Sequence, residues 1–274
     1  MSTNIIAIRK EFPRFVQSVN GVLTITLREI ILTLKSPARL IMALIWPIMI
    51  FGMFGSQLGD NMGVNMDYNF TNFMLVGMLV NAMFMMVING VTTLAEDREN
   101  DFTQEIFVSP TSRYAILLGK IIGASFAAYI QYFATILIGL IIGATLTTSQ
   151  FWMMLAISPL MCLVAGSLGI LVVGFVKSPT TAGMISIMVC IVQMFLSGAM
   201  IPINNSSGVM DVVSRIMPMT YCVDLARGLF YRGMPELANT TMYPPIVNLI
   251  VIIGFALVFF VAGTVNFVRT EKNK

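Results

Sequence analysis

Five stretches without a single charged residue dominate this sequence: Leu40–Gly59, Tyr68–Ala95, Ile121–Val176, Ser178–Met210 and Leu237–Val268. A helix needs about 20 apolar residues to cross a bilayer, and each stretch is at least that long. Only 11% of the residues are charged, against roughly a quarter in a soluble domain. The chain is therefore expected to be all-α and integral to a membrane. The third stretch is 56 residues long, too long for one helix, and Thr147-Thr148-Ser149-Gln150 divides it in two. The fourth holds one span that ends near Ile201-Pro202, ahead of a polar Asn-Asn-Ser-Ser segment. This predicts six transmembrane helices, at about 40–59, 70–94, 116–146, 151–176, 180–201 and 246–268.

An even number of spans puts both termini on one side, and the positive charges choose it. With the termini cytoplasmic, 13 of the 16 Lys and Arg residues lie inside, and only Arg215, Arg227 and Arg232 lie outside. The expected layout is a cytoplasmic N-terminal arm over residues 1–39, a membrane domain over 40–268 and a cytoplasmic tail over 269–274. The arm carries eight charges and no apolar core ahead of a small-residue site, so it is not read as a cleavable signal.

Within the arm, VLTITLREIILTLKSP places Leu23, Leu27, Ile30, Ile31 and Leu34 on one helical stripe, with Thr24, Arg28 and Lys35 largely off it. Ser36-Pro37 ends the helix. The segment is too polar to span, and this pattern predicts an amphipathic helix lying in the membrane interface. Leu27, Arg28 and Ile31 are its candidate interfacial residues.

Between the second and third spans lies AEDRENDFTQEIFVSP. Ten residues there carry six charges: Glu96, Asp97, Arg98, Glu99, Asp101 and Glu105. Phe102, Ile106 and Phe107 add an apolar edge, and Ser109-Pro110 stops the helix that the segment favours. Exposed aromatics supply desolvated contact and acids steer towards a basic rim. The segment is read as a short cytoplasmic helix, about 96–108, that docks in a groove of another protein.

The stretch EDRENDFTQEIFVSPTSRYAILLGK resembles the cytoplasmic loop of ABC-2 type permeases, the membrane subunits of one class of ABC exporters. The matching positions are Glu96-Asp97-Arg98-Glu99, Glu105, Phe107-Val108, Ser109-Pro110, Ser112-Arg113 and Gly119-Lys120. Asn100-Asp101 departs from the family, where many members have a glycine. REIILTLKSPARLIMALIWPIMIFGMFG is similar to the family's arm and first helix, with Arg28, Pro37 and Pro47 matching. SGAMIPINNSSGVMDVVSRIMPMTYCVDLARGLF is similar to its fifth helix and outer hairpin, with Pro202, Pro218, Tyr221, Asp224 and Arg227 matching. The daunorubicin-exporter-like branch looks closest.

The resemblance implies that the loop is a coupling helix seated in an ATPase subunit. Its coupling residues would be Glu96, Asp97, Arg98, Glu99, Phe102, Glu105, Phe107 and Arg113. It further implies two permeases, as a homodimer or with a related chain, beside two ATPase subunits, and a short re-entrant external hairpin at about 202–236. The sequence holds no G-x-x-x-x-G-K-[ST] motif: Gly119-Lys120-Ile121 fails at the last position. ATP and Mg are therefore expected on the partner ATPase, and no cofactor on this chain. In the external segment, Asp211/Arg215 and Asp224/Arg227 have the spacing of charge pairs on short helices.

The spans contain no ionisable residue away from their ends, which disfavours a proton- or ion-coupled transporter. There is no histidine, and neither an acid pair nor a nucleophile–base arrangement that would suggest an enzyme. Neither a metal site nor a nucleic-acid partner is expected. Asn81 and Asn89 on the second span, Gln131 on the third, and Ser186, Gln193 and Ser197 on the fifth are candidates for a translocation lining, or for interhelical hydrogen bonds. The Gly55/Gly59, Gly119/Gly123 and Gly139/Gly143 pairs are read as close packing sites. Methionine is abundant, at 23 residues, and clusters on the second and fifth spans; its soft side chain suits varied lipophilic ligands as well as gap-filling.

The expected function is a multi-pass plasma-membrane permease, bacterial in kind, for an amphiphilic drug, peptide or lipid-like compound. The alternatives are a permease for lipid-linked glycan, or a membrane sensor that binds an ATPase without transporting.

Overall fold

A computed structural model of the chain describes residues 14–37, 41, 45, 48–50, 68–100, 112–176, 178–203 and 208–272. The named helices are α1 (Arg14–Leu34), α2 (Phe70–Glu99), α3 (Arg113–Ile141), α4 (Thr148–Phe175), α5 (Pro179–Leu196), α6 (Val209–Ile216), α7 (Pro218–Phe230), α8 (Leu237–Thr240) and α9 (Pro245–Lys272). Among the described residues, five segments are long and apolar enough to cross a membrane: α2, α3, α4, α5 and the stretch Leu237–Thr270 that holds α9. They carry the second to sixth predicted spans. The predicted first span, 40–59, lies outside the described residues apart from Ile41, Ile45 and Ile48–Ile50.

Local chemistry sets where these helices start. Asn69 caps α2 by accepting from the Asn72 amide, and Ser112 caps α3 by accepting from the Ala115 amide. The polar break in the long apolar run is a capping box: Thr147 accepts from the Gln150 amide and the Gln150 side chain accepts from the Thr147 amide, satisfying two otherwise orphaned groups. Proline begins α5 and α7, where its missing N–H is no loss. Several ends differ from expectation. The third helix runs 113–141 instead of 116–146, and the fifth ends at Leu196, five residues early.

The second helix continues without a break through Glu99. Residues 96–99 are therefore its last turn, not the start of a separate helix, and residues 101–111 lie outside the described ones.

Helix α2 is the hub. It packs on α3, α4, α5 and α7, while α9 lies along α4 and α1 lies along α3. Its contact with the chain after α5 is so close that a Cβ on Gly77 would overlap the Ala199 carbonyl. Gly119 and Gly123 do mark close packing, but the partner is α1: a Cβ on Gly119 would sit 2.9 Å from the Val22 carbonyl oxygen, and one on Gly123 would press into Glu29. Of the Gly139/Gly143 pair only Gly139 packs, against Leu75; Gly143 has open space and φ +104°, and turns the chain after α3.

Candidate functional site

The arm helix α1 turns its predicted apolar stripe outward. Leu23, Leu27, Ile31 and Leu34 are about half exposed, while Ile25, Glu29 and Thr33 are buried against α3. The mixed face of the helix, not its apolar stripe, does the packing against α3. Thr26 donates to the Gly119 carbonyl at 3.1 Å, in the shallow groove that the two glycines leave.

That approach brings four charges together. Lys120 of α3 is 1% exposed, and its Nζ lies 2.8 Å from Glu29 Oε1 of α1 and 2.8 Å from Asp97 Oδ2 in the last turn of α2. Arg28 closes the ring, 2.7 Å from Asp97 and 2.8 Å from Glu29. Two cations meet two carboxylates, so the junction is neutral. A buried charge is tolerable only when paired and hydrogen-bonded, and each member here has two partners. Burial opposes the Arg28 charge, but Asp97 and Glu29 more than offset it and raise its pKa above the usual value. The junction ties the arm to the helix end that leads directly into residues 101–111.

The predicted coupling residues thus separate into groups. Glu96 and Glu99 are exposed. Asp97 belongs to the junction. Arg98 turns inward: it is 1% exposed, donates to the Val176 carbonyl at 2.8 Å, and stacks over Phe267 at 4.6 Å, fastening the end of α2 to α4 and α9. Arg113 is half-buried at the start of α3. Phe102, Glu105 and Phe107 lie outside the described residues. Sequence reasoning missed Glu29 and Lys120. The available signals were a lone acid inside an apolar helix, and a lone lysine between two glycines of a GxxxG.

A second polar region lies between α2 and α5. The buried residues of α5 include Ser186, Cys190 and Gln193, and α2 is its main neighbour. Asn81, one turn inward from Gly77, is 2% exposed. Gln193 Oε1 accepts from the Met219 amide at the start of α7, 3.3 Å away. Asn81 Oδ1, Ser186 Oγ and Ser197 Oγ have no hydrogen-bond partner among the described residues. These groups are buried within the chain and not on its surface. Asn89 is half-buried on α2, and Gln131 is buried on α3.

At the opposite end of α2 from the ionic junction, Asp211 and Arg215 form the expected pair at 3.0 Å. Asp224 and Arg227 form no such pair. Asp224 accepts from the Met242 and Tyr243 amides and from Asn248, while Arg227 donates to the Gly198 and Ala199 carbonyls and lies 3.4 Å over the Phe73 ring. Each binds the backbone of a different segment, so α7 becomes the fastener between the end of α5 and the start of α9. Burial pulls the Arg227 pKa down to about 10, against the upward influence of Tyr231, Asp224 and Tyr68. Gln150, at the start of α4, donates to the Phe230 carbonyl at 2.9 Å and holds the other end of α7.

A family model described as ABC-2 type transporter matches residues 20–231, from the arm through α7. The chain belongs to the ABC-2 type transporter family. A relative from Cyanophora paradoxa, described as "Putative transport permease ycf38", is 25% identical over 201 residues, covering 72% of this chain and 69% of the relative. Membership makes this chain a multi-pass transport subunit, and it implies association with an ABC ATPase subunit.

Proposed function

We propose that this chain is the permease of an ATP-driven exporter, working as a homodimer or with a related permease beside two ATPase subunits. Both termini lie in the cytoplasm of a bacterial cell, and the ATPase docks on residues 96–113. The ionic junction is the observation that carries this reading. Asp97 lies within the docking segment at the end of α2, Lys120 follows it on α3, and both are bonded to α1. A push on that segment therefore reaches the arm and two spans together. Glu96 and Glu99, exposed beside the junction, remain available to a basic rim on the ATPase.

The cargo is an amphiphilic drug, peptide or lipid-like compound. The exposed side of α5 presents Met184 and Met188, each 67% exposed, adaptable side chains of the kind that accept varied apolar partners. The re-entrant segment α6–α7 caps the outer mouth, fastened by Arg227. Inverted membrane vesicles that hold this chain and its ATPase should accumulate amphiphilic dyes only when ATP is supplied. Equal accumulation in vesicles lacking the chain would overturn the exporter assignment.

A further inference from the structure

A cleft of about 340 Å³ separates α1 from α4 beside α3. Thr26 and Ile30 form its α1 wall, Ile122 and Ser125 stand on α3, and Pro159 and Cys162 stand on α4. Among the described residues that line it, none is charged. Its hydroxyl groups are hydrogen-bonded within the protein: Thr26 donates to the Gly119 carbonyl at 3.1 Å, Ser125 donates to the Ile121 carbonyl at 2.8 Å, and Tyr129 accepts from Ser158 at 3.1 Å. A cleft whose hydroxyls are each in a hydrogen bond to the protein, with no charge among its described lining residues, is poorly equipped to hold a charged headgroup, an ion or a peptide backbone. It suits hydrocarbon.

The helical wheel of α1 shows which medium reaches it. At about 100° per residue, Thr26 and Ile30 occupy one sector. The exposed Leu23, Leu27, Leu34 and Ile31 follow in the next. Thr24, Lys35 and Arg28 come after those. The order is cleft wall, apolar stripe, charged edge. The cleft mouth therefore opens on the lipid side of the arm, away from its water side, and Ile122 at the rim is 44% exposed.

We propose that this cleft binds one hydrocarbon chain of a membrane lipid from the leaflet bordering α1. A water molecule occupies about 30 Å³ of liquid and a methylene is of similar size, so the cleft holds on the order of ten carbons. Among the described helices α1 makes its extensive contact with α3, and none of comparable size with α4. The lipid chain fills that space and props the arm against α4. Lys120, the nearest buried cation in sequence, is committed to Glu29 and Asp97, so the site selects a chain and not a headgroup.

The test uses the full chain in nanodiscs doped with phospholipid bearing a diazirine in mid-chain, with crosslinked peptides mapped by mass spectrometry. Peptides covering residues 118–129 and 159–163 should be labelled several-fold more than the lipid-exposed face of α9 around Ile250 and Leu257. Ser125→Leu, which fills the cleft from within, should cut that labelling several-fold and leave α9 unchanged. Ile122→Trp, at the exposed rim, should do the same without touching the packed wall. Phosphatidylcholine and phosphatidylglycerol probes should label alike. Labelling no greater than on α9, or unchanged in both variants, would overturn the proposal, and a marked preference for one headgroup would overturn the chain-only reading.

Discussion

Replacing Lys120 with methionine keeps the length of the side chain and removes its charge, leaving Glu29 and Asp97 to face each other. Its ammonium lies 2.8 Å from both carboxylates and is 1% exposed. Removing one partner of a buried ion pair costs about 3–5 kcal/mol. Arg28 still reaches both carboxylates, and the Asp97 side chain keeps 14% exposure, so solvent and the remaining cation recover part of the loss. Lys120→Met should therefore destabilise the chain by about 3 kcal/mol, roughly a hundredfold in the folding constant. Reversible unfolding of the purified chain in mixed micelles, followed by circular dichroism, reads this directly. Adding Glu29→Gln should restore balance, so the double variant should lose at least about 1 kcal/mol less than the sum of the single losses. A Lys120→Met variant as stable as the parent, or single losses that simply add, would show that Lys120 and Glu29 are not coupled in the junction.

Three other substitutions probe the remaining contacts. Gly77→Ala should prevent folded protein from accumulating, because its Cβ overlaps the Ala199 backbone; normal yield by size-exclusion profile would contradict the packing. Arg227→Gln removes a charged donor from the Gly198 and Ala199 carbonyls and should cost about 2 kcal/mol in the same unfolding assay, whereas Arg232→Gln, at an exposed position, should be silent. Gln193→Leu removes the acceptor for the Met219 amide and should change dye preference or rate in the vesicle assay. An unchanged profile across several dyes would assign Gln193 to packing alone.

Much of the span layout is legible in the sequence because it depends on local composition. The uncharged runs predict five helices that the structure contains, and Thr147 and Gln150 announce the start of α4 through a capping pattern only four residues long. The ionic junction is not legible in the same way. Lys120 and Glu29 are 91 residues apart, and no local periodicity pairs them. The stripe on α1 is visible, and its residues are exposed, but the pattern does not show that Ile25, Glu29 and Thr33 of the mixed face pack on α3. Arg98 reads as one more charge in an acidic loop. It is buried because α2 runs on past Ala95 and carries position 98 under α4 and α9. In the external segment, the i, i+3 spacing of Asp224 and Arg227 suggests mutual pairing. Unsatisfied backbone groups at neighbouring helix ends compete for both side chains and take them.

Residues 96–113 are proposed to seat this chain on an ATPase. Affinity purification of the tagged chain from its native host in mild detergent tests it most directly, with co-purifying proteins identified by mass and the eluate assayed for ATP hydrolysis. The account predicts a stoichiometric ATPase subunit that is lost when Glu99 and Glu105 are changed to lysine while the chain remains in the membrane. A chain that elutes without an ATPase, or one that keeps its ATPase after both charge reversals, would contradict it.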